Sequence, residues 1–344
     1  MRKFLLLEPS ALKPTRPDFE VIGVFNPAIT KFNDQYIMIA RVAERAIQSD
    51  PDNYLLPHYE HNKGICLRKV PIGAKDFDYS DCRIVKNHEA TYLTSISHLR
   101  ILRSDNGIDF DPDSASLIFP DNIYEEYGIE DPRVTKIGDT YYLTFTAVSS
   151  NGINVRLMST KDFLKFKRLG NIFHSDNKDA VIFPEKIKGK YYALHRPSIS
   201  QFARLDIWMA TSDNLTDWGN HQVLKDARID YKESARIGAG AVPFLTDQGW
   251  LVIYHSTDKL HRYHLTAMLL DKDDPHKVLM RSKAPLIEPT EAYEKRGFVN
   301  DVVFTCGLIR NEEEVLLYYG ACDERVCLCK MTLSEIMANL KEVR

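Results

Sequence analysis

Pairs of β-rich segments joined by short polar turns recur along the chain. In each copy an apolar segment enters a turn of Asn, Asp or Gly residues and leaves it as an aromatic-rich strand. Four copies cover residues 27–40, 132–145, 184–195 and 243–254, and a looser fifth covers 302–318. Turns of this composition favour tight β-hairpins, so each copy predicts one hairpin.

The distance between successive copies suits one four-stranded propeller blade for each hairpin. Further strand patterns at 64–68, 96–104, 155–158 and 207–210 are typical of outer strands, and the wide first gap indicates an insertion around 46–64. We therefore predict an all-β fold, a five-bladed β-propeller with a short C-terminal helix. A single domain spans 1–344, in which the first ~20 residues form an arm or a blade-closing segment.

The C-terminus carries the clearest helical pattern. Thr332 and Glu335 have the spacing of a capping box, and Ile336, Leu340 and Val343 follow at helical spacing. The pattern predicts a helix that begins after Thr332.

Composition narrows the classes of function. The 45 basic residues nearly balance the 48 acidic ones, which argues against nucleic acid as a partner. No apolar run approaches the roughly 18 residues of a membrane helix, and the one after Met1 is too short for a signal peptide, so we expect no membrane association and a cytoplasmic location. The six cysteines form no scaffold or zinc pattern, which predicts structural thiols and no metal site.

Polar residues stand just before the predicted innermost strands. If each copy opens with such a strand, these residues meet at one end of the central channel. They are Asn26, Glu130, Asp131, Asp179, Glu185, residues 236–240, Asn300 and Asp301. The alternative is a set of solvated turns, but blade packing does not need several carboxylates there. We therefore predict a polar site.

Two segments carry the clearest chemistry. Pro132 holds the preceding Asp131 in extended geometry, although an ordinary Asp-Pro turn is the alternative interpretation. Further on, Lys178, Asp179, Glu185, His195 and Arg196 follow one another closely around a strand. Such charges are costly to bury unpaired, which indicates a polar pocket. Residues 237–240 match no phosphate-loop motif.

Acids and cations at one channel end suit cleavage of a glycosidic bond. An inverting glycosidase needs an acid for the leaving oxygen and a base for water. A phosphorylase uses phosphate as the nucleophile, and phosphate needs cations in place of the base. The residues alone leave both reactions open.

At these residues the chain resembles glycoside hydrolase family 130, five-bladed propellers that include β-mannoside phosphorylases and some β-mannosidases. The resemblance covers about residues 20 to 330. Its motifs are 25–27, 40–42, 128–135, 178–185, 195–197, 236–240, 249–255, 269–271, 293–294, 302–304 and 318–323.

The resemblance implies roles for individual residues. Asp131 matches the general acid, which in the family is thought to protonate the glycosidic oxygen through a hydroxyl of the mannose ring. The residues implied in cationic or polar contacts to phosphate and sugar are Arg41, Lys178, Arg196, Arg236 and His255. Asn26, Asp179 and Asp301 are implied to bind sugar hydroxyls.

The chain also departs from the family pattern. Where phosphorylases commonly read Tyr-Arg-x-Gly, residues 263–266 read Tyr-His-Leu-Thr. His264 thus replaces an arginine, and only a protonated histidine partly substitutes for its phosphate fork. If the reaction were hydrolysis, Glu233 or Glu185 would be the candidate base.

We therefore predict an inverting phosphorylase that cleaves manno-oligosaccharides or mannosyl-glucose with inorganic phosphate as co-substrate, giving α-mannose 1-phosphate. It needs no metal and no organic cofactor. The first alternative is an inverting β-mannosidase, and the second is a non-catalytic carbohydrate-binding propeller. The linkage, the acceptor sugar and a homo-oligomeric state stay open.

Overall fold

The computed structural model describes residues 1–198, 204–224, 233 and 235–343, without the side chains of 113–115. Nearly all regular structure in this part of the chain is β. The strands are β1 (Arg2–Leu7), β2 (Phe19–Phe32), β3 (Gln35–Ala46), β4 (Asn53–Glu60), β5 (Gly64–Pro71), β6 (Ile84–Lys86), β7 (Thr91–Leu93), β8 (Ile96–Ser104), β9 (Asp111–Ile118), β10 (Gly128–Ile137), β11 (Thr140–Ser149), β12 (Gly152–Thr160), β13 (Lys167–Phe173), β14 (Asn177–Ile182), β15 (Tyr191–Pro197), β16 (Trp208–Ser212), β17 (Trp218–Val223), β18 (Arg236–Ala239), β19 (Phe244–Thr246), β20 (Gly249–Thr257), β21 (Tyr263–Leu270), β22 (Val278–Ser282), β23 (Val303–Asn311), β24 (Glu314–Ala321), β25 (Arg325–Thr332) and β26 (Leu340–Glu342).

Most of these strands form five antiparallel groups that follow one another along the chain. The groups are β2-β3-β8-β9, β10-β11-β12-β13, β14-β15-β16-β17, β18-β20-β21-β22 and β23-β24-β25-β1. One parallel bridge between Gly128 and Ser97 joins the first two groups into a single sheet. The first strand of the chain, β1, is thus the outer strand of the fifth group, where it pairs with β25.

The five predicted hairpins are confirmed. Short turns connect β2 to β3, β10 to β11 and β23 to β24, and the β19–β20 hairpin and the segment leading into β15 complete the set. Asn33 and Asp34 take positive φ in the first turn, as Gly138 does in the second. Asn, Asp and Gly are the residues that tolerate this conformation best, which is why the turn composition is predictive.

Core packing joins neighbouring groups face to face. Separate hydrophobic clusters lie between the first and second, second and third, third and fourth, and fourth and fifth groups. Another cluster packs β1, β24 and β25 of the fifth group against β2, β3 and β8 of the first. Each group therefore buries both faces of its sheet, one against each neighbour in this order.

A bulge interrupts the first strand of three groups at corresponding places. The pairing register shifts around Asn26 in β2, Asp131 in β10 and Asp179 in β14, and all three residues take positive φ. The prediction that Pro132 holds Asp131 in extended geometry is therefore wrong, because the bulge imposes a left-handed backbone at Asp131. Asn and Asp adopt this left-handed backbone more readily than other non-glycine residues. The repeated bulge turns these three polar side chains into a common cavity.

The insertion is longer than predicted. The β4–β5 and β6–β7 hairpins both lie between β3 and β8, so it extends to about Ser95. The prediction of an outer blade strand at 64–68 is wrong, because those residues belong to β5 and pair with β4. Leu56, Val70 and Val85 form a small core of the insertion's own.

The predicted start of the C-terminal helix is confirmed. Helix α2 (Leu333–Ala338) follows the Thr332 cap, with both hydrogen bonds of the capping box in place. Its predicted continuation to Val343 is wrong, since the chain forms β26 along β22, and Leu340 is buried in the core between the fourth and fifth groups. Helix α1 (Ala292–Lys295) and the 3-10 turns Pro9–Ala11 and Ile123–Glu125 are too short for a periodic signal. No helix in the described part of the chain has the length and apolarity needed to cross a membrane.

Candidate active site

A cavity of about 690 Å³ lies where the bulged strands meet. It brings together side chains from the inner strands of all five groups and from strands paired with them. The sequence-predicted site residues that line it are Asn26, Arg41, Glu130, Asp131, Lys178, Asp179, Arg196, Arg236 and His255. Residues separated by more than 200 positions in the chain thus meet in one place, in agreement with the prediction that they gather at one site.

The carboxylate of Asp131 is held from two sides. Asn26 Nδ2 donates to Asp131 Oδ1 at 2.9 Å, and Arg41 Nη1 donates to the same oxygen at 3.1 Å. Arg41 also donates through Nη2 to Glu130 Oε1 at 2.7 Å and stacks over the ring of Phe25. These contacts fix the position of a carboxylate that is only 8% exposed.

The charge around Asp131 determines its protonation. Burial by itself raises the pKa of this carboxyl. The charges of Arg41, Arg133 and Lys178 and the hydrogen bond of Asn26 together lower it by a larger amount, so the net pKa lies below its usual value. Asp131 is therefore ionised at neutral pH in this structure.

Arg133 is a buried connector between three groups. Its guanidinium donates to the backbone carbonyls of Asp131 at 3.0 Å, Ala239 at 2.9 Å and Gly240 at 3.2 Å. It also lies 3.3 Å from Asp179 Oδ1. Because Arg133 sits two residues after Asp131 in β10, it ties the Asp131 bulge to β14 and β18.

Asp179 forms the second buried charge cluster. Its Oδ2 lies 2.8 Å from Arg196 Nη1 and 3.3 Å from His255 Nε2. Burial raises the pKa of Asp179, but the charge of Arg196, the hydrogen bond of His255 and the charge of Arg133 together hold the pKa well below the usual range. Burial, with the charges of Arg196 and Arg133, lowers the pKa of His255 more than Asp179 raises it, so this imidazole is neutral at neutral pH. A Cβ at position 238 would collide with Asp179 and His255, which explains the glycine there.

The third and fourth groups give this side of the cavity its positive charge. Arg196 lies beside the half-buried Lys178, whose Nζ is 3.8 Å from Glu130 Oε2. Arg236 reaches His261 Nδ1 at 3.4 Å and stacks over Tyr263. Guanidinium and ammonium groups gathered in this way are suited to binding an anion.

Several predicted site residues lie outside the cavity lining, namely His195, Asn300 and residues 237–240 of the predicted polar site, together with the four that follow. Glu185 is exposed beyond the end of β14. Glu233 is buried and accepts a hydrogen bond from Tyr254 Oη at 2.6 Å, on the face of β20 opposite to His255. His264 is buried near Glu288, at 3.7 Å. Asp301 is not among the lining residues, and its carbonyl accepts a hydrogen bond from the Tyr263 amide.

Several lining residues were missed as site residues. Asp323 follows β24 and lines the cavity, and Tyr263, His261 and Phe304 complete the side near His255. The motif at 318–323 was the only sequence signal for Asp323. The signal for Arg133 was its place in the motif at 128–135, but its partners other than Asp131 lie 46 to 107 positions away and follow only from the fold.

Replacing the Asp323 carboxyl is expected to stabilise the folded protein by an amount that depends on pH. Burial raises its pKa to about 6, more than Arg41 lowers it. Because the folded state holds this proton more tightly than the unfolded state, wild type loses stability as pH rises from about 4 through 6. We expect Asp323→Asn, which tolerates the same positive φ, to be more stable than wild type by up to about 3 kcal/mol at pH 8, with most of that gain lost at pH 4.5.

Urea unfolding at both pH values measures this difference. Asp247→Asn, in the exposed turn before β20, is the matched control and should change stability at neither pH. A gain of equal size at pH 4.5 and pH 8 would show that the variant acts through shape and not through charge.

Among the described residues, no group of three or more His, Cys, Asp or Glu side chains is arranged to hold a metal ion.

Comparisons with known proteins agree with this fold. A family model described as beta-1,4-mannooligosaccharide phosphorylase matches residues 81–342. The Beta-1,2-mannobiose phosphorylase of Listeria innocua is 43% identical, over 98% of this chain and 96% of its own length. The 1,2-beta-oligomannan phosphorylase of a Thermoanaerobacter species is 36% identical, over 72% of this chain and 82% of its own length.

A solved structure extends the comparison to three dimensions. The complex of the Listeria innocua phosphorylase with beta-1,2-mannobiose has a TM-score of 0.94 and 42% identity, over 98% of this chain and 99% of that one. The chain thus shares the fold of a mannoside phosphorylase along nearly its whole length. It belongs to glycoside hydrolase family 130.

Proposed function

We propose that the protein is an inverting glycoside phosphorylase that cleaves β-mannosides with inorganic phosphate and releases α-mannose 1-phosphate. One observation carries the proposal: a fixed carboxylate, Asp131, shares a cavity with the cations Lys178, Arg196 and Arg236. The names of the 43% and 36% identical relatives support this reaction and favour a β-1,2-linked substrate, mannobiose above all.

In this proposal Asp131 supplies the proton. The bond between C1 of mannose and the glycosidic oxygen breaks, and the proton of Asp131 passes to the leaving oxygen, through a sugar hydroxyl as the family resemblance implies. A phosphate oxygen attacks C1 from the opposite face, and the phosphate proton is released in turn. The anomeric configuration therefore inverts.

Phosphate binding prepares Asp131 for this role. The resting carboxyl is ionised because Arg41 and Arg133 lower its pKa. A phosphate dianion among Lys178, Arg196 and Arg236 adds negative charge to the cavity, which raises the pKa of a nearby carboxyl. Proton uptake by Asp131 is thereby coupled to arrival of the nucleophile.

Asn26 and Asp179 are proposed to contact the sugar. Asn26 uses Nδ2 for Asp131, and its buried Oδ1 has no hydrogen-bond partner among the described residues, so it is available to a sugar hydroxyl. Asp179 keeps Arg196 and His255 oriented and lines the same cavity. Polar groups aimed into a cavity in this way are typical of a ligand site.

We also propose that the five groups are the blades of a five-bladed propeller around this cavity. Support comes from the core clusters between successive groups, of which one joins the fifth group to the first. The β1–β25 pairing gives the fifth group its outer strand from the other end of the chain.

Phosphorolysis is favoured over hydrolysis by the position of the candidate bases. Glu185 is exposed and Glu233 is paired with Tyr254, so neither lines the cavity. The presence of His264 in place of the family's arginine is no argument against phosphorolysis, because His264 lies outside the lining and other residues supply the cations. The reaction exchanges one C–O bond for another, so the proposal includes no metal or organic cofactor.

Product analysis tests the proposal. The protein is incubated with β-1,2-mannobiose, β-1,4-mannobiose and mannosyl-glucose, each with and without inorganic phosphate. We expect mannose 1-phosphate in the α configuration, formed only with phosphate. Free mannose formed at the same rate without phosphate would make the protein a hydrolase, and binding without turnover of any β-mannoside would make it a carbohydrate-binding protein.

A further inference from the structure

The insertion between β3 and β8 contributes one wall of the cavity. The residues of this wall lie outside the sequence motifs that carry the family resemblance. Asp81, Arg83, Ile84, Leu93 and Ser95 all line the cavity. We call these five residues the insertion wall. Ile84 and Leu93 are direct partners in the β6–β7 hairpin, so they present one apolar surface. An ion pair lies beside it, in which Arg83 donates to both carboxylate oxygens of Asp81, at 3.0 and 2.7 Å.

The insertion wall is held in place from several sides. Arg68 stacks over Tyr92 and so joins the two hairpins of the insertion. Arg16 Nη1 donates to the Ile65 carbonyl at 2.7 Å, which ties the insertion to the N-terminal arm. The Tyr59 amide donates to the Glu126 carbonyl at 2.6 Å, just before the strand that carries Asp131. The wall therefore keeps a set position relative to Asp131.

The wall lies on a different side of the cavity from the cations. Lys178, Arg196 and Arg236 belong to the third and fourth groups, whereas the insertion leaves from the first. The core clusters of the described residues join the first group to the second and the fifth, and none joins it to the third or fourth. An inverting displacement needs the nucleophile and the leaving oxygen on opposite faces of C1. With phosphate among the cations, the leaving sugar extends toward the first group.

We propose that the insertion wall binds the leaving sugar and selects its identity. The apolar pair Ile84 and Leu93 packs against a C–H face of that sugar, and the Asp81–Arg83 pair exchanges hydrogen bonds with its hydroxyls. The Arg83 side chain is 54% exposed and paired with Asp81, so part of its orientation is set before the sugar arrives. This inference rests on the proposed function, because it takes the positions of phosphate and leaving group from it.

Kinetics in the synthetic direction test the wall. There α-mannose 1-phosphate occupies the donor and phosphate sites, and the acceptor sugar occupies the site of the leaving sugar. For Arg83→Ala we expect the KM for mannose as acceptor to rise roughly tenfold and the KM for α-mannose 1-phosphate to change less than twofold. The preference for mannose over glucose as acceptor should shrink, and Arg83→Lys should restore only part of it.

Lys69→Ala is the matched control, since Lys69 forms an exposed ion pair with Asp50 in the same insertion, outside the cavity lining. It should leave both KM values unchanged. An equal rise of both KM values in Arg83→Ala, or no rise in the acceptor KM, would overturn the assignment of the wall.

A binding measurement separates this inference from the proposed function. Calorimetric titration of β-1,2-mannobiose into wild type and Arg83→Ala needs no turnover. If wild type binds the disaccharide but never forms mannose 1-phosphate, the proposed function fails, while about tenfold weaker binding by the variant still supports the wall. Equal affinities overturn the wall whatever the reaction is.

Discussion

Asp131→Asn is expected to lower kcat for phosphorolysis of β-1,2-mannobiose by about 10³-fold. The amide cannot donate the proton that the leaving oxygen needs, yet it fits the space and keeps a contact to Arg41 through its oxygen. Steady-state release of mannose 1-phosphate measures the loss. The KM for phosphate should change little, because the cations of the third and fourth groups stay in place.

A leaving group that needs no protonation provides the decisive comparison. With an aryl β-mannoside that releases an acidic phenol, Asp131→Asn should recover much of its rate, because this leaving group departs without being protonated. The control is Asp139→Asn, an exposed residue in the turn that follows the same strand. Equal losses on both substrates would mean that Asp131 binds the sugar and is not the acid.

The second large effect is on stability. Arg133→Met removes four hydrogen bonds that a single buried guanidinium makes, and it leaves Asp179 Oδ1 and the carbonyls of Ala239 and Gly240 without this donor. Breaking a buried charged contact on one side costs about 3–5 kcal/mol. We expect the free energy of unfolding in urea to fall by that amount.

Arg45→Met is the matched control for this variant. Arg45 forms a surface ion pair with Glu20 at 2.7 Å, and its side chain is 46% exposed, so its loss should cost no more than about 1 kcal/mol. Arg133→Lys should lie between the two, because an ammonium keeps the charge but cannot reach all four acceptors. Equal stability of the Arg133→Met and Arg45→Met variants would show that Arg133 does not hold the groups together.

Local chemistry made much of the fold predictable. The Asn33–Asp34 and Gly138 turns and the Thr332 cap act within a few residues, so their signals survive in the sequence. The small core of the insertion joins residues that are distant in the sequence, so the local pattern of β5 does not distinguish it from an outer blade strand. Leu340 likewise lies at helical spacing in the sequence, but in the structure it belongs to β26 and is buried in the core between the fourth and fifth groups.

The site was predictable only as far as strand geometry was known. Asn26, Asp131 and Asp179 occupy equivalent bulges, so one argument covered all three. Glu185 lies six residues beyond Asp179, about 20 Å along an extended chain, and therefore leaves the cavity. His264 and Tyr263 are neighbours in β21, and alternation of side chains turns only Tyr263 into the cavity.

The pairing of β1 with β25 also bears on the order of events during synthesis. The N-terminal amine lies 3.1 Å from Glu335, which is 334 positions further along the chain. On the ribosome, β1 is made before the strands of the four other groups, and its partner β25 follows after them. The fifth group therefore assembles only after the other four groups have been synthesised, and contacts of such long sequence separation fold slowly. Until then the edge of β1 that pairs with β25 has no partner in the sheet, and an unpaired strand edge is open to pairing with other chains.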